Sequence, residues 1–195
     1  MPERRLVLAS TSVYRRELLA RLGIPFIAAS PCYDEPRLEL PPEKLVMAHA
    51  VAKAKSLADD YPESLILGSD QIAALGDEIL GKPGSELDAM AQLEKLQGRT
   101  HRLLTAIALY DSKAKSTKTA LDLHEMVMRS LNSAEIRAYV ERDKPVDCAG
   151  AYKLESLGIS LFSEIRGSDD TAVIGLPLLR VVDLLLESGI KILQE

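Results

Sequence analysis

Residues 6–23, LVLASTSVYRRELLARLG, begin as an apolar run and end as an amphipathic segment. The run Leu6–Ala9 is typical of a short buried strand, and three hydroxyl residues follow it. Leucines then recur at helical spacing until Gly23, a common helix stop. We therefore predict a strand over residues 5–9, a polar turn and a helix over residues 13–22, which together open an α/β fold.

Strands and helices alternate early in the chain, and hairpins follow later. We expect Gly76-Asp77 to turn a short hairpin, and residues 149–154 to form another with residues 158–165. A last helix, 177–187, is apolar enough to be buried on more than one side. This order indicates a mixed α/β fold and not a regular doubly wound sheet. The other expected strands are 24–28, 65–75, 101–111 and 117–129, and the other helices are 42–59, 85–98 and 132–142.

Composition limits the classes of function. Hydrophobic residues are 47% of the 195, aromatic residues are 4% and Trp is absent, so we expect one aliphatic core. No apolar run could cross a bilayer and no secretory signal is apparent, so we expect no membrane partner and a cytoplasmic location. Cys32 and Cys148 lack metal-ligand spacing. A net charge of −5 argues against a nucleic-acid partner, so a local positive cluster would indicate a small anionic ligand.

The polar turn before the first helix has two interpretations. Backbone N–H groups at a helix N-terminus attract anions, and Arg15 and Arg16 add guanidinium forks that match phosphate oxygens. Alternatively, Ser12 caps the helix and both arginines lie in solvent. Two arginines in a first helical turn need an explanation, because the helix dipole favours acidic residues there.

Acidic residues interrupt two segments. Asp70 and Gln71 lie inside the apolar strand LILGSDQIAAL, residues 65–75, where a carboxylate needs a cation, a metal ion or hydrogen bonds. The alternative is an aspartate in a turn at a strand end. Asp34 and Glu35 lie in a loop between two prolines. Paired acids there are either Mg²⁺ ligands that act with substrate phosphates or a solvated surface.

Lysines complete the set of candidate residues. Lys53 lies beside the packed face of an alanine-rich helix and is expected to reach inward, whereas Lys55 is expected in solvent. Lys82 is held between a glycine and a proline, although many surface turns share this pattern. Asp70, a nearby loop acid, Lys53, Lys82 and Arg15 together are the groups that metal-assisted attack on a polyphosphate requires.

Eight short motifs occur in the order and spacing of a known family. Through them nearly the whole chain resembles the Maf family of nucleotide pyrophosphatases. The resemblance implies an inosine-triphosphate-pyrophosphatase-like fold of two lobes with a central cleft, formed by residues 1–195 as a single Maf-like domain. The motifs are LASTSVYRRELLARLG, YDE, AKAKSLA, LGSDQIAAL, GKP, HRLLTAIAL, CAGAYKLES and VIGLPL.

The resemblance also implies a reaction and roles for single residues. A nucleoside triphosphate would be hydrolysed to the monophosphate and pyrophosphate with the help of a divalent cation, Mg²⁺ or Mn²⁺. Asp70 matches the general base that activates water, and with Glu35 it would hold the metal ion. The residues that match the triphosphate-binding positions are Ser10, Arg15, Lys53 and Lys82.

Two departures from the commonest family pattern concern the base. In place of Ser-Pro-Arg-Arg the chain has Ser-Val-Tyr-Arg, with Tyr14 for the first Arg, and Glu155 stands where members acting on dTTP and UTP have Gln. This pair resembles the branch that acts on 7-methyl-GTP. The 7-methylguanine ring is cationic, and an aromatic face attracts a stacked cation by about 0.5–2 kcal/mol. A carboxylate can accept from N1–H and the exocyclic amine of guanine, and Gln71 would contact the base or sugar.

Other functions stay open at this point. Without the resemblance, Tyr14 and Glu155 are ordinary surface residues. Within the family, dTTP or UTP is the alternative substrate. A nucleotide-binding regulator of cell division or septum formation is an alternative of a different class. The apolar last helix is compatible with either a core or a homodimer interface.

Overall fold

Seven strands form a mixed sheet in the computed structural model, which describes residues 4–193. The strands are β1 (Leu6–Ala9), β2 (Phe26–Ala29), β3 (Leu65–Leu75), β4 (Glu78–Leu80), β5 (Thr100–Asp111), β6 (Ser116–Met128) and β7 (Phe162–Arg166). β1 pairs in parallel with β2 and β3, whereas β4 pairs antiparallel with β3, and β7 with β6. The hydrogen-bonded order is β2-β1-β3-β5-β6-β7, with β4 beside β3 off this path. The predicted mixed α/β class is confirmed.

Several helices begin at residues that the sequence supplies as caps. The side chains of Ser12, Ser85 and Asn132 each accept a backbone N–H of the first turn, which satisfies donors that a helix start leaves without a partner. No helix within residues 4–193 is both long and apolar enough to span a membrane. The helices are α1 (Val13–Ala20), α2 (Pro42–Lys55), α3 (Glu86–Leu96), α4 (Ser133–Asp143), α5 (Asp170–Ile174) and α6 (Leu178–Leu186).

The chain divides into two compact units. Among the described residues, the first comprises residues 4–70, 105–122 and 169–193. Its core is aliphatic, as the composition predicts, and leucines from β1, α1, β3, β5 and α6 pack there. Asp169 joins the last two helices, because its carboxylate accepts the backbone N–H groups of Thr171 and Leu179 at 2.9 and 2.8 Å.

The second unit comprises residues 71–104 and 123–168. Its core includes a buried ring cluster of His101, Tyr152 and Phe162, in which the Tyr152 and Phe162 rings meet edge to face with centroids 4.9 Å apart. His101 Nε2 and the Tyr152 hydroxyl lie 2.9 Å apart and share a hydrogen bond. The imidazole of His101 is therefore buried in this core with the Tyr152 hydroxyl as its partner.

The prediction of a hairpin over residues 149–165 is wrong. Residues Ala149–Ala151 and Leu157–Leu161 are 3₁₀ turns, and β7 pairs with β6 instead. Gly150 has a φ of 75°, which turns the chain out of an extended conformation. A Cβ on Gly158 would lie 2.3 Å from the carbonyl oxygen of Lys153, so the chain folds back on itself at this glycine.

The last helix is buried on one face only, contrary to the prediction. Val181, Leu184 and Leu185 of α6 are buried, but Leu179 and Leu186 are 57% and 52% exposed. Leucines occur on both faces of α6, and which of them are buried depends on what packs against each face. Composition alone therefore overestimated the burial of α6.

Candidate active site

Lys53 connects two carboxylates in the first unit. Its Nζ lies 2.6 Å from Oδ1 of Asp70 and 2.6 Å from Oε1 of Glu35. Lys53 and Asp70 are buried, whereas the Glu35 side chain is 49% exposed. The expected inward direction of Lys53 and the exposure of Lys55 are both confirmed. The buried carboxylate of Asp70 thus has a cationic partner, as its place in an apolar strand required.

A close approach of α2 to β3 brings Lys53 and Asp70 together. A Cβ added to Gly68 would lie 2.3 Å from the carbonyl oxygen of Ala50 and 2.7 Å from the backbone nitrogen of Ala54. Only glycine leaves room for the helix backbone there. Ala50 and Ala54 flank Lys53 on α2, and Gly68 lies two residues before Asp70 on β3. Small residues in both elements therefore set the distance between the Asp70 carboxylate and the Lys53 ammonium.

Arg15 points inward from the first turn of α1. Its Nε donates to the carbonyl oxygen of Gly175 at 2.9 Å, and its Nη1 donates to that of Ser69 at 2.8 Å. Ser69 Oγ also donates to the Gly175 carbonyl, at 2.9 Å. Burial lowers the pKa of Arg15, while the nearby carboxylates of Asp70 and Glu35 raise it. These carbonyls and carboxylates explain why an arginine is tolerated at a helix N-terminus.

The hydroxyl turn before α1 holds that helix start in place. Ser12 Oγ accepts the backbone N–H of Arg15 at 3.3 Å, and Ser10 Oγ accepts that of Ser12 at 3.1 Å. The capping interpretation of Ser12 is therefore confirmed. Arg16 is exposed, as that interpretation expects, but Arg15 is not a solvent-facing side chain.

A short loop, residues 31–35, lies against α2. The Tyr33 hydroxyl and His49 Nδ1 are 2.9 Å apart, and the two rings are tilted by 53°. Burial raises the pKa of Tyr33, and the charges of Glu35 and Asp70 raise it further, so the phenol stays protonated. The backbone N–H of Cys32 donates to Ser56 Oγ at 3.1 Å.

Sequence reasoning missed Tyr33 and His49. A signal was present, because His49, Lys53 and Ser56 are spaced i, i+4, i+7 in an alanine-rich helical segment. Residues at that spacing share one helix face. The polar face they form is the one that contacts residues 31–35.

The remaining candidate residues are divided between the two units. Tyr14 lies on α1 of the first unit and is 37% exposed. Gln71, half-buried on β3, begins the second unit. Lys82 is exposed in the loop between β4 and α3, and Glu155 is exposed in the turn between the two 3₁₀ segments of the second unit. The roles that the resemblance implies for these residues stay predictions.

The carboxylates suit a hard divalent cation that is shared with a substrate. Within residues 4–193 no group of three or more His, Cys, Asp or Glu side chains could hold a metal ion. Lys53 Nζ contacts one oxygen of Asp70 and one of Glu35, so it brings the two carboxylates close together. Mg²⁺ is commonly bound by one or two carboxylates plus substrate phosphates, so this oxygen pair fits such an ion.

The chain is similar to known proteins over nearly its whole length. A family model described as Maf-like protein matches residues 5–188. A 7-methyl-GTP pyrophosphatase of Pseudomonas aeruginosa is 46% identical over 193 residues, 98% of this chain and 100% of the relative. Another protein of that name, from Syntrophotalea carbinolica, is 44% identical over 190 residues, 96% of each chain.

A solved structure supports the fold alone. The Ham1 protein of Staphylococcus aureus superposes with a TM-score of 0.54, covering 96% of this chain and 100% of its own, at 14% sequence identity. At that identity the two chains share an architecture and little else. The expected likeness to the inosine-triphosphate pyrophosphatase fold is thereby confirmed.

Proposed function

The chain belongs to the Maf family, and on that premise we propose that it hydrolyses 7-methyl-GTP to 7-methyl-GMP and pyrophosphate. The observation that carries this proposal is the buried Lys53–Asp70 pair with Glu35 on the same nitrogen. Such a set supplies a base, a cation and a second carboxylate for attack on a polyphosphate. Both curated relatives described above are named 7-methyl-GTP pyrophosphatase. This chain aligns with nearly their full length.

Asp70 acts as the general base in this proposal. It accepts a proton from a water molecule, whose oxygen attacks the α-phosphorus of the substrate. The bond between that phosphorus and the oxygen leading to the β-phosphate breaks, and pyrophosphate leaves with the bonding electron pair. The contact with Lys53 Nζ at 2.6 Å fixes the direction of the Asp70 carboxylate, as a base in an in-line reaction requires.

Positive groups stabilise the charge that develops on the phosphates. Lys53 and Arg15 lie near Asp70 in the first unit, and fixed cations are most effective when they need no rearrangement during the reaction. Ser10, buried beside the start of α1, contributes a hydroxyl donor. Lys82 matches a triphosphate-binding position of the family, and we assign it that role on the family pattern alone.

Asp70 and Glu35 would hold the divalent cation, Mg²⁺ or Mn²⁺. When bound, such an ion supplies Lewis acidity at the phosphate oxygens. Lys53 contacts both carboxylates, so it keeps the two acids close together despite their equal charge. The half-exposed Glu35 leaves one side of this group accessible to solvent and substrate.

The preference for a cationic base rests on Tyr14 and Glu155. Tyr14 offers an exposed aromatic face, and an exposed ring attracts a stacked cation by about 0.5–1 kcal/mol. Glu155 offers a carboxylate in an exposed turn, and Gln71 offers an amide next to Asp70 in the sequence. A cytoplasmic location and a homodimer are further proposals from the sequence.

The decisive experiment measures pyrophosphate release across a nucleotide panel with the purified chain. The panel contains 7-methyl-GTP, GTP, dTTP, UTP and inosine triphosphate, each with Mg²⁺ and with Mn²⁺. The proposal expects the highest kcat/KM for 7-methyl-GTP. A higher value for dTTP or UTP would contradict the substrate but keep the reaction. No pyrophosphate from any nucleotide would overturn the enzymatic proposal.

A further inference from the structure

Residues 31–35 are attached to α2 at three successive points. The backbone of Cys32 donates to Ser56 Oγ at 3.1 Å, and Ser56 Oγ in turn donates to the Lys53 carbonyl at 2.9 Å. Tyr33 shares a hydrogen bond with His49, and Glu35 pairs with Lys53 Nζ at 2.6 Å. The loop is thus held by one face of one helix.

By itself, the ion pair between Glu35 and Lys53 contributes little to holding the loop in place. The Glu35 side chain is 49% exposed, and partly solvated ion pairs contribute little stability because they are screened and lose side-chain entropy. The Tyr33–His49 contact is better protected, since His49 is only 6% exposed. Tyr33 precedes Glu35 by two residues, so fixing its ring fixes the backbone that presents the carboxylate.

We propose that His49 and Tyr33 are positioning residues that hold the Glu35 carboxylate beside Lys53 and Asp70. This inference rests on the proposed function, because it concerns the carboxylate assigned to the divalent cation. His49 lies one helical turn before Lys53, so a single rigid helix sets both the cation and the support of the loop. The phenol acts through Glu35 and transfers no proton to the substrate.

Tyr33→Phe tests this role by removing one hydroxyl and leaving the ring. Losing a single hydrogen bond that orders the loop is expected to raise the Mn²⁺ concentration for half-maximal rate about tenfold. At saturating Mn²⁺ the kcat should change less than about threefold, because the reacting groups remain. The matched control is Tyr61→Phe, which removes a phenol hydroxyl elsewhere in the first unit and should leave both values unchanged.

A double-mutant cycle separates positioning from general stability. In a Glu35→Gln background, Tyr33→Phe should have no further effect on the Mn²⁺ requirement, because the carboxylate it positions is already gone. An equal tenfold effect in both backgrounds would overturn the inference. His49→Ala should reproduce the Tyr33→Phe effect, and His49→Asn, whose amide lies near the position of Nδ1, should restore most of the wild-type behaviour.

Two further measurements do not depend on turnover. Mn²⁺ binding followed by electron paramagnetic resonance should weaken about tenfold in Tyr33→Phe, and amide hydrogen exchange of residues 32–35 should accelerate about tenfold. Unchanged exchange and unchanged Mn²⁺ binding would overturn the inference. A wild-type chain that releases no pyrophosphate would instead overturn the proposed function, so the two failures are distinguishable.

Discussion

The buried Nζ of Lys53 lies 2.6 Å from Oδ1 of Asp70. Lys53 is in the last turn of α2, and Asp70 is in the middle of β3. Each residue alone would be costly in this environment, since buried charges need partners. Paired, they place a buried carboxylate and a fixed cation side by side, with Glu35 on the same nitrogen. The reactivity proposed for the chain depends on this pair.

Asp70→Asn should abolish turnover while leaving nucleotide binding largely intact. The substitution keeps the size of the side chain but removes the proton acceptor, so kcat should fall at least about 100-fold, within the range known for general bases. Pyrophosphate release measures turnover, and calorimetry measures binding. Asp59→Asn is the matched control, because Asp59 is exposed in the same unit. Wild-type-like turnover of Asp70→Asn would exclude Asp70 as the base.

Lys53→Met should destabilise the chain by about 3 kcal/mol, because it leaves the buried Asp70 carboxylate without its cation. Chemical denaturation measures the free energy of unfolding. Lys55→Met, two residues away and exposed, should cost at most about 1 kcal/mol through its contact with the Tyr110 ring. Adding Asp70→Asn to Lys53→Met should recover part of the loss, and equal losses in the single and double variants would contradict the buried-pair argument.

Much of this site could be predicted because its signals are local. The strand Leu65–Leu75 has the predicted bounds, since a nearly continuous apolar run of that length has few alternatives. The inward direction of Lys53 followed from its alanine neighbours. The need of Asp70 for a partner followed from the same apolar run, although the residue that satisfies it lies 17 positions away.

Contacts between distant segments could not be predicted in this way. Tyr33 and His49 are 16 residues apart on a loop and a helix, and no pattern in either segment identifies the other. The hairpin prediction for residues 149–165 was wrong for a different reason. The apolar residues of this segment suit a strand, whereas its glycines impose turns. Which of two opposing local preferences prevails depends on the packing around them.

Gly68→Ala should destabilise the chain by at least about 2 kcal/mol and lower activity. The new methyl group would lie 2.3 Å from a backbone oxygen of α2, and the backbone of a packed helix yields only at a cost. The shift would also move Lys53 away from Asp70. Gly81→Ala is the control, since a Cβ there meets nothing within 4 Å. Equal stability of both variants, measured by thermal unfolding, would contradict the close approach.

His101 should make stability depend on pH in mildly acidic solution. Burial lowers the pKa of His101 from 6.5 to about 4. Between these pH values the unfolded chain therefore binds more protons than the folded chain. The contribution of the neutral, buried His101 to stability is complete above pH 6.5 and is lost as the pH falls toward 4. The loss is about 3 kcal/mol. His101→Gln should remove this part of the pH dependence in denaturation curves at pH 7 and 4, and an unchanged difference would show that other groups cause it.

Glu155→Gln should weaken the preference for 7-methyl-GTP. A carboxylate accepts from both guanine donors, whereas an amide offers one acceptor and places a donor opposite another donor. Losing one charge-assisted hydrogen bond should lower kcat/KM for 7-methyl-GTP about 10- to 100-fold and leave the values for dTTP and UTP unchanged or raised. Glu141→Gln, an exposed glutamate of the same unit, is the control and should leave the ratio unchanged. An equal fall in kcat/KM for every nucleotide would indicate that Glu155 supports the general stability of the chain. Base recognition would instead change the ratio of kcat/KM between substrates.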